Sequence, residues 1–334
     1  MNGEFRVTIR DIAEEVGVST ATVSNVIHGK KNKVSQNVIE KVEKALEKNN
    51  YIPSMAAILL GRNSSRIIGV IINNHKKYHN RVLEDGFISS SLNALSLVSE
   101  EEGYFLMIKI TSDILSVPEF SSMWNMEALV LIGFCDDDYS ALRNKTRIPF
   151  VVYDGITVSQ NSGVVSLILD DYEAGKMAGK YYKEKGHNRI LIISDNNSRM
   201  DGDRIKGLKS ILPSSQLLIV SIEKETRWNE YKERLEYIKT FTGVFCVSDF
   251  YALDFISFLS AQGFSVPSFI SVIGFDGTLM ADIEGLTTIK QNYEERVKKT
   301  IYAIKTMIKN ESIQSIIKIG TQLKEGLTVK RLCD

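Results

Sequence analysis

The chain has 334 residues, 43% of them hydrophobic and 25% charged, an ordinary globular composition with length for about two domains. This excludes a wholly disordered or collagen-like chain, and no apolar run approaches the roughly 18 residues of a membrane span. Lys plus Arg and Asp plus Glu both total 41, so net charge selects no partner; residues 1–66 carry only +3, ten basic side chains against seven acidic.

The first residues, MNGEFRVTIRDIAEE, place acids where a secretion signal needs an apolar core, so a cytoplasmic protein with no membrane partner is expected. Cys135, Cys246 and Cys333 are odd in number and lack metal-type spacing, which points to reduced, mostly packed thiols.

Three short helical patterns open the chain. In Thr8-Ile9-Arg10-Asp11 a hydroxyl at the N-cap precedes a carboxylate by three residues, a capping-box variant. Ile9, Ile12, Ala13 and Val16 then form one apolar face, Gly17 stops the helix, Val18 turns inward and Ser19 caps the next one. That second helix, 20–27, keeps Ala21, Val23 (or Ser24), Val26 and Ile27 for packing and leaves Thr20, Thr22 and Asn25 available near its N-terminus. Two short helices joined by a tight Gly turn make a helix-turn-helix, whose second helix would enter the major groove N-terminus first. After a Lys/Asn loop, 30–33, Ser35 caps a third helix with Val38, Val42, Ala45 and Leu46 as its apolar face.

From residue 66 the pattern changes. IIGVII (67–72), YFLMIKI (104–110), ALVLIGF (128–134), FVVYD (150–154) and VVSLIL (164–169) read as buried parallel strands. RILIIS (189–194), LLIVSI (217–222), GVFCVS (243–248) and FISVIGF (269–275) continue the series, with amphipathic stretches between most of them. This is α/β organisation in two wound halves, whose ligands bind beyond the C-terminal ends of strands. No G-x-G-x-x-G, P-loop or nucleophile elbow occurs here, so neither an enzyme nor a cofactor is expected. His75 and His79 lie four apart, but flanking Lys76 and Lys77 repel a cation, so no metal is expected. Asp136 to Asp138 read as solvated capping, Glu100 to Glu102 as a solvated helix face, and His187 as complementing a helix C-terminus.

IRDIAEEVGVS, ATVSNVI, VS at 34–35 and YIP at 51–53 resemble the DNA-binding head of the lactose-repressor (LacI/GalR) family of bacterial regulators, over about sixty continuous residues. DDYEAGKMAGKYYKEKGHNRILIIS (170–194), RIKGLKS (204–210), VPSFISVIGFDG (266–277), LTTIKQN (286–292) and the closing strand IGTQLKEGLTVK (319–330) resemble the family's effector domain, which has the periplasmic-binding-protein fold. The likeness is good from about 150 onward and poor over 73–127.

The resemblance implies a small all-α helix-turn-helix head on an α/β periplasmic-binding-protein-like core of two doubly wound subdomains. It gives a DNA-binding domain over 1–52, a hinge helix and linker over 53–65, and an effector-binding and dimerisation domain over 66–334. Within the last, the N-subdomain takes about 66–167 and 290–318, and the C-subdomain about 168–289 and 319–334. Thr20 and Ala21 stand where relatives read base edges, and Asn25 stands where Arg is most common. Arg favours guanine whereas Asn pairs with adenine, so an A·T pair is expected where relatives read G·C. Thr8, Ser19, Thr22, Lys30, Lys31 and Lys33 complete the DNA-binding set on the head. On the hinge, Ser54 caps, Ala57 lies within the helix, and Leu60 falls where relatives wedge a leucine into the minor groove. Ile58 departs from the basic or polar residue common there.

For the effector, the resemblance implies Asn73, Asp154, Arg204, Trp228, Ser248, Asp249 and Asp276. Ser248-Asp249 replaces the usual Asn-Asp, and Ile132 stands where relatives are often polar; both suggest a ligand smaller or less polar than a free hexose. Alternatives stay open: Arg204 and Asp276 pair with each other, Asp249 holds its turn, and Trp228 is packing. The function implied is a ligand-responsive repressor of carbohydrate-related genes, bound as a homodimer to a near-palindromic operator. A solute-binding protein of the same core fold is the rival, opposed by the head and the missing signal. Because the sequence stops soon after its last strand, a dimer is expected rather than a tetramer.

Overall fold

The structure, a computed structural model, describes residues 7–27, 29–52, 64–155 and 163–332, and of Lys31 the backbone alone. The chain divides near Arg66 into two compact units.

The first unit holds α1 (Ile9–Val16), α2 (Thr20–Ile27) and α3 (Gln36–Lys48). The capping box forms: Thr8 Oγ1 accepts from the Asp11 N–H at 3.3 Å, and Asp11 Oδ2 accepts from the Thr8 N–H at 2.7 Å. Gly17 ends α1 in the left-handed region, φ +75°, where a side chain is strained. Ser19 Oγ accepts from the Thr22 N–H at 3.2 Å and so caps α2. Ile12, Val23 and Val42, one from each helix, are wholly buried in a single core. Glu15 fastens α1 to the end of α3 through Lys48 and Asn49, both at 2.7 Å.

Three local expectations shift. Ala21 is exposed rather than packed. The buried row of α3 is Ile39, Val42 and Ala45, with Val38 and Leu46 at its flanks. Ser35 stands at the N-cap of α3, but its side chain makes no capping bond. The Thr8→Ala variant should destabilise α1 by about 1 kcal/mol. Amide exchange over 12–16 in the full-length protein measures this, and unchanged protection there would count against the cap.

The second unit contains two six-stranded sheets. The strands are β1 (Ile67–Asn73), β2 (Phe105–Thr111), β3 (Ala128–Ile132), β4 (Phe150–Val152), β5 (Val164–Leu169) and β6 (Ile190–Ser194). They continue as β7 (Gln216–Ile219), β8 (Gly243–Cys246), β9 (Ser271–Asp276), β10 (Thr287–Gln291), β11 (Ile316–Ile319) and β12 (Thr321–Lys324). The helices between them are α4 (Gly86–Glu101), α5 (Val117–Met123), α6 (Asp136–Lys145), α7 (Asp171–Glu184) and α8 (Arg199–Ile211). After these come α9 (Lys224–Glu233), α10 (Leu235–Ile238), α11 (Asp249–Ala261), α12 (Leu279–Ile283) and α13 (Tyr293–Ile308).

The first sheet runs β11-β5-β4-β3-β1-β2 and the second β12-β10-β9-β8-β6-β7. All pairings are parallel except β10 with β12. The chain changes sheet after Leu169, after Gln291, and between Ile319 and Thr321. Each sheet reverses its strand order once, between β1 and β3 and between β6 and β8. In wound sheets such switch points open the crevices that take ligands.

Two strand expectations are corrected. β2 is not buried on both faces: it is an edge strand, and Phe105 and Ile108 are 58% and 46% exposed. The closing segment 319–330 is not one strand, because the chain leaves β11 at Ile319 and re-enters the other sheet as β12 only as far as Lys324. Among the described residues no helix is long and apolar enough to cross a membrane.

Candidate functional site

On the head, α2 is pinned inward by Val23 and Val26, which fixes what it shows outward. Thr20 and Ala21 are exposed and Asn25 is half-exposed. Ala21 and Asn25 are one turn apart, so they share a face. The hydroxyls of Ser19 and Thr22 bond each other at 2.9 Å. Thr8 Oγ1 is committed to Asp11. Ser19 and Thr22 therefore fix the start of α2 and Thr8 that of α1, whereas Thr20, Ala21 and Asn25 are presented by α2. Lys30 and Lys33 are exposed just beyond α2, and the Lys30 N–H is held by the Asn25 carbonyl at 2.8 Å. Ser54, Ala57 and Leu60, with Ile58, lie outside the described residues.

In the core, two of the expected effector residues, Asn73 and Arg204, reach the two switch points, while Asp154 follows β4 and Asp276 ends β9. Asn73 ends β1 and donates to the Gly133 carbonyl at 2.8 Å, bridging the β1/β3 crevice. Arg204 bridges the β6/β8 crevice, donating through Nη1 to the Val247 carbonyl at 2.7 Å. Its Nε meets Asp171 at 2.7 Å, its Nη1 meets Asp201 at 3.3 Å, and its plane stacks on Phe275 at 3.6 Å. Burial pushes Asp171 up to about 6 despite that partner. Arg204 thus pairs with Asp171 and Asp201, and not with Asp276.

Asp276 ends β9 with a backbone φ of +122°, a region non-glycine residues rarely hold, and strain of this kind gathers at working sites. Its Oδ1 accepts from Gln291 Nε2 at 2.7 Å. Gln291 Oε1 accepts from Arg296 Nη1 at 2.7 Å, and Arg296 Nη2 donates to Asp154 at 2.9 Å. One hydrogen-bonded chain therefore joins Asp276 of the second sheet to Asp154 of the first. Arg296 is wholly buried, beside the rings of Tyr153 and Phe87. Burial, reinforced by nearby Asp249 and Asp85, drives Asp276 well above the usual carboxylate range, against the pull of Arg204 and Gln291.

Asp249 is 1% exposed. Its Oδ1 accepts from Thr288 at 2.6 Å, and its Oδ2 accepts from the Thr278 N–H and hydroxyl at 2.8 and 3.0 Å. Both oxygens are occupied, which is the geometry of the turn-holding alternative; burial pushes this carboxyl up to about 6. Ser248 sits at the N-cap of α11. Trp228 donates from its indole N–H to Asp254 at 3.1 Å and meets Phe258 edge-on, the packing alternative. The halves approach closely where Gly86 faces Thr278: a Cβ on Gly86 would lie 2.9 Å from the threonine methyl.

Sequence reasoning missed Arg296, Gln291, Lys77 and Asp195. Asp195 directly follows β6, a signal that strand ends supply; Arg296 hides in the charged run EERVKK, which reads as a solvated face. His187 corrects another expectation. It is buried, its Nε2 lies 2.8 Å from the Lys330 carbonyl, and burial lowers its pKa, so it is held neutral and adds no charge to the helix end. Of the thiols, Cys246 is buried and Cys135 half-buried at the N-cap of α6, where Asp138 completes a capping box. His79 Nε2 lies 3.8 Å from Glu223, and His75 Nδ1 accepts from the Lys77 N–H.

Comparison with known proteins places the chain in a family. Residues 8–54 match the bacterial regulatory proteins of the lacI family, and residues 180–329 match the periplasmic binding protein-like domain. The HTH-type transcriptional repressor PurR of Actinobacillus pleuropneumoniae serotype 5b is 31% identical over 327 residues, covering 92% of this chain and 93% of the relative. PurR of Vibrio atlanticus is 29% identical over 342 residues, covering 97% and 99%. Among solved structures, the Lac repressor dimer bound to operator and an anti-inducer superposes with a TM-score of 0.80 at 20% identity, over 97% of this chain and 99% of that one. The regulator CelR in complex with cellobiose gives 0.67 at 19% identity, over 97% and 100%. With identity of this level along nearly the full length of both chains, the protein belongs to the lacI family of bacterial regulatory proteins.

Proposed function

We propose that this protein is a transcriptional repressor that binds a near-palindromic operator as a homodimer and answers to a small-molecule effector. The observation that carries this reading is the outward face of α2, where Thr20, Ala21 and Asn25 are held up by buried Val23 and Val26. One short helix reads too few bases for a unique site, so two heads on a two-fold axis are required. The PurR relatives are named as repressors, and the Lac repressor neighbour was solved as a dimer on operator.

In this reading residues 1–52 read the major groove and 53–65 form the hinge, with Leu60 as the minor-groove wedge. Residues 66–334 bind effector and partner. Lys30, Lys31 and Lys33 contact phosphates; few basic groups predict a shallow salt dependence. Effector is held by Asn73, Asp154, Arg204 and Asp276, which the strand ends and α8 carry. It acts through different affinities for two arrangements of the halves, which hold the paired hinges together or apart. A sugar or sugar derivative suits a cleft of carboxylates and amide groups. No residue is assigned a catalytic role.

Selection of bound sequences from random duplexes by the full-length protein tests this. A near-palindrome is expected, with an A·T pair opposite Asn25. Exchanging that pair for G·C should weaken binding by about 1–3 kcal/mol, and Asn25→Arg should shift the preference toward guanine. Equal affinity for both duplexes would remove Asn25 from the reading set, and recovery of no motif would remove the repressor function.

A further inference from the structure

Two histidines four residues apart, His75 and His79, have no part in the site described above. They lie in the loop after β1, in the half of the core built on the first sheet. His79 Nε2 stands 3.8 Å from Glu223 Oε2, and Glu223 lies between β7 and α9 of the other half. The pair therefore joins the two halves.

Both sides of the contact are held firmly. A single 3-10 turn, Lys76–Tyr78, precedes His79, and His79 and Asn80 are both left-handed, φ +48° and +62°. Non-glycine residues seldom take that conformation, least of all two in succession. The His79 N–H donates to the Lys76 carbonyl at 3.1 Å, the Arg81 N–H to the Tyr78 carbonyl at 2.7 Å, and Asn74 Nδ2 to Asn80 Oδ1 at 3.1 Å. Opposite, buried Arg227 donates through Nη1 to the Ser221 and Ile222 carbonyls at 3.0 and 2.6 Å and is anchored by Asp254 at 2.8 Å. Glu223 follows directly on that clamp, its N–H held by Ser221 Oγ at 3.1 Å.

Strand order gives the pair leverage. The three crossings between the halves leave or enter at β5, β10, β11 and β12, which stand at one edge of each sheet. β1 is the fifth strand from that edge of the first sheet, and β7 is the sixth from that edge of the second. With neighbouring strands about 4.8 Å apart, the pair stands roughly 15–20 Å from the crossings. A hinge rotation of about 10° at the crossings moves the two loops apart by about 3 Å, enough to break the contact.

The geometry points to a proton-operated latch: His79 and Glu223 hold the two halves of the core together when the imidazole is charged and release them when it is neutral. Imidazoles gain and lose their proton between about pH 5 and 8, whereas carboxylates stay ionised above about pH 5. The latch is complete at the acid end of that range and is lost as pH rises. The side chains of His79 and Glu223 are 52% and 66% exposed, so protons reach them freely. His75, Lys76, Lys77 and Arg81 share the His79 loop, and Arg81 is paired with Glu84. On the facing side stand Lys224, Glu225 and Glu230, the last accepting from the Ser221 N–H at 2.9 Å. Among the described residues, Glu223 is the carboxylate within ion-pair distance of His79. Closure brings it to the imidazole, so proton uptake and closure favour one another. Any ligand that distinguishes open from closed halves then inherits the pH dependence.

Amide exchange in the full-length protein tests this, each variant being compared with the parent at the same pH. At pH 6, Glu223→Gln should speed exchange about two- to fourfold over both 76–81 and 221–227, the range an exposed pair supports. At pH 8 the two proteins should match. His79→Gln should behave as Glu223→Gln does. His79→Lys, which keeps its charge throughout, should hold the slow exchange of 221–227 at pH 8 as well as at pH 6. Faster exchange in Glu223→Gln confined to 221–227 would overturn the bridge between halves. A difference of equal size at pH 6 and pH 8 would overturn its operation by protons, and identical exchange at both would overturn the latch altogether.

Discussion

Replacing Arg204 by methionine should cost the core about 3–5 kcal/mol, because it leaves Asp171 buried without its counter-charge. Asp171 is 6% exposed, and among the described residues the cation it pairs with is Arg204, at 2.7 Å. The loss should depend on pH in a set direction. Burial already raises Asp171 to about 6 in the folded protein, above its unfolded value, so its stabilising share is complete below the unfolded pKa and declines as pH rises. Without Arg204 the folded pKa climbs further. The variant and the parent should therefore unfold at similar urea concentrations near pH 5 and diverge above about pH 6. Adding Asp171→Asn to Arg204→Met should restore part of the loss and flatten the pH dependence. Equal destabilisation at pH 5 and pH 8 would mean that Arg204 acts by packing on Phe275 and not as a counter-ion.

The second large effect is steric. Helices α7 and α8 touch through backbone at two glycines. A Cβ on Gly207 would lie 2.0 Å from the Tyr172 carbonyl oxygen, and one on Gly175 would lie 2.0 Å from the Arg204 carbonyl oxygen. Neither obstacle is a flexible side-chain tip, so the helices themselves must separate. Gly207→Val should destabilise the core by about 3 kcal/mol, at the upper end for overpacking. It should also weaken effector binding in whatever protein remains folded, since α8 carries Arg204, one of the residues proposed above to hold the effector. Gly320 has no neighbour within 4 Å of its would-be Cβ, so Gly320→Ala should stay within about 0.5 kcal/mol and serves as the control. A Gly207→Val protein with an unchanged melting temperature would show that the two helices do not meet as described.

What could be read from sequence divides along the reach of each interaction. The Thr8–Asp11 capping box and the Gly17 stop are settled within three or four residues, and both were legible. The face of α3 was displaced because Ile39 and Val38 are equally apolar, and only the neighbouring helices decide which one is buried. The burial of β2 was overstated because an edge strand and a central strand carry the same apolar string. Arg296 was invisible for a longer-range reason. Its charge matches its exposed neighbours, while its partners Asp154 and Gln291 arrive from separate sheets, one of them 142 residues away. Arg204 is legible in its RIKGL motif, but its partner Asp171 lies 33 residues away, in the segment 170–194, and nothing local joins the two. Position at a strand end was legible throughout; hydrogen-bond partners across the fold were not.

The three crossings between sheets also set an order of assembly during synthesis. β5 on the first sheet gains its outer neighbour only from β11, Ile316–Ile319. β10 on the second gains its own from β12, Thr321–Lys324. Neither sheet can be completed until residues 316–324 have left the ribosome, whereas the contacts of α1, α2 and α3 are all made within the first fifty or so residues. A nascent chain therefore carries a DNA-reading unit long before it has the apparatus to restrain or pair it. A single short head binds weakly without its twin, so the late closing of both sheets delays tight DNA binding until control by effector is in place.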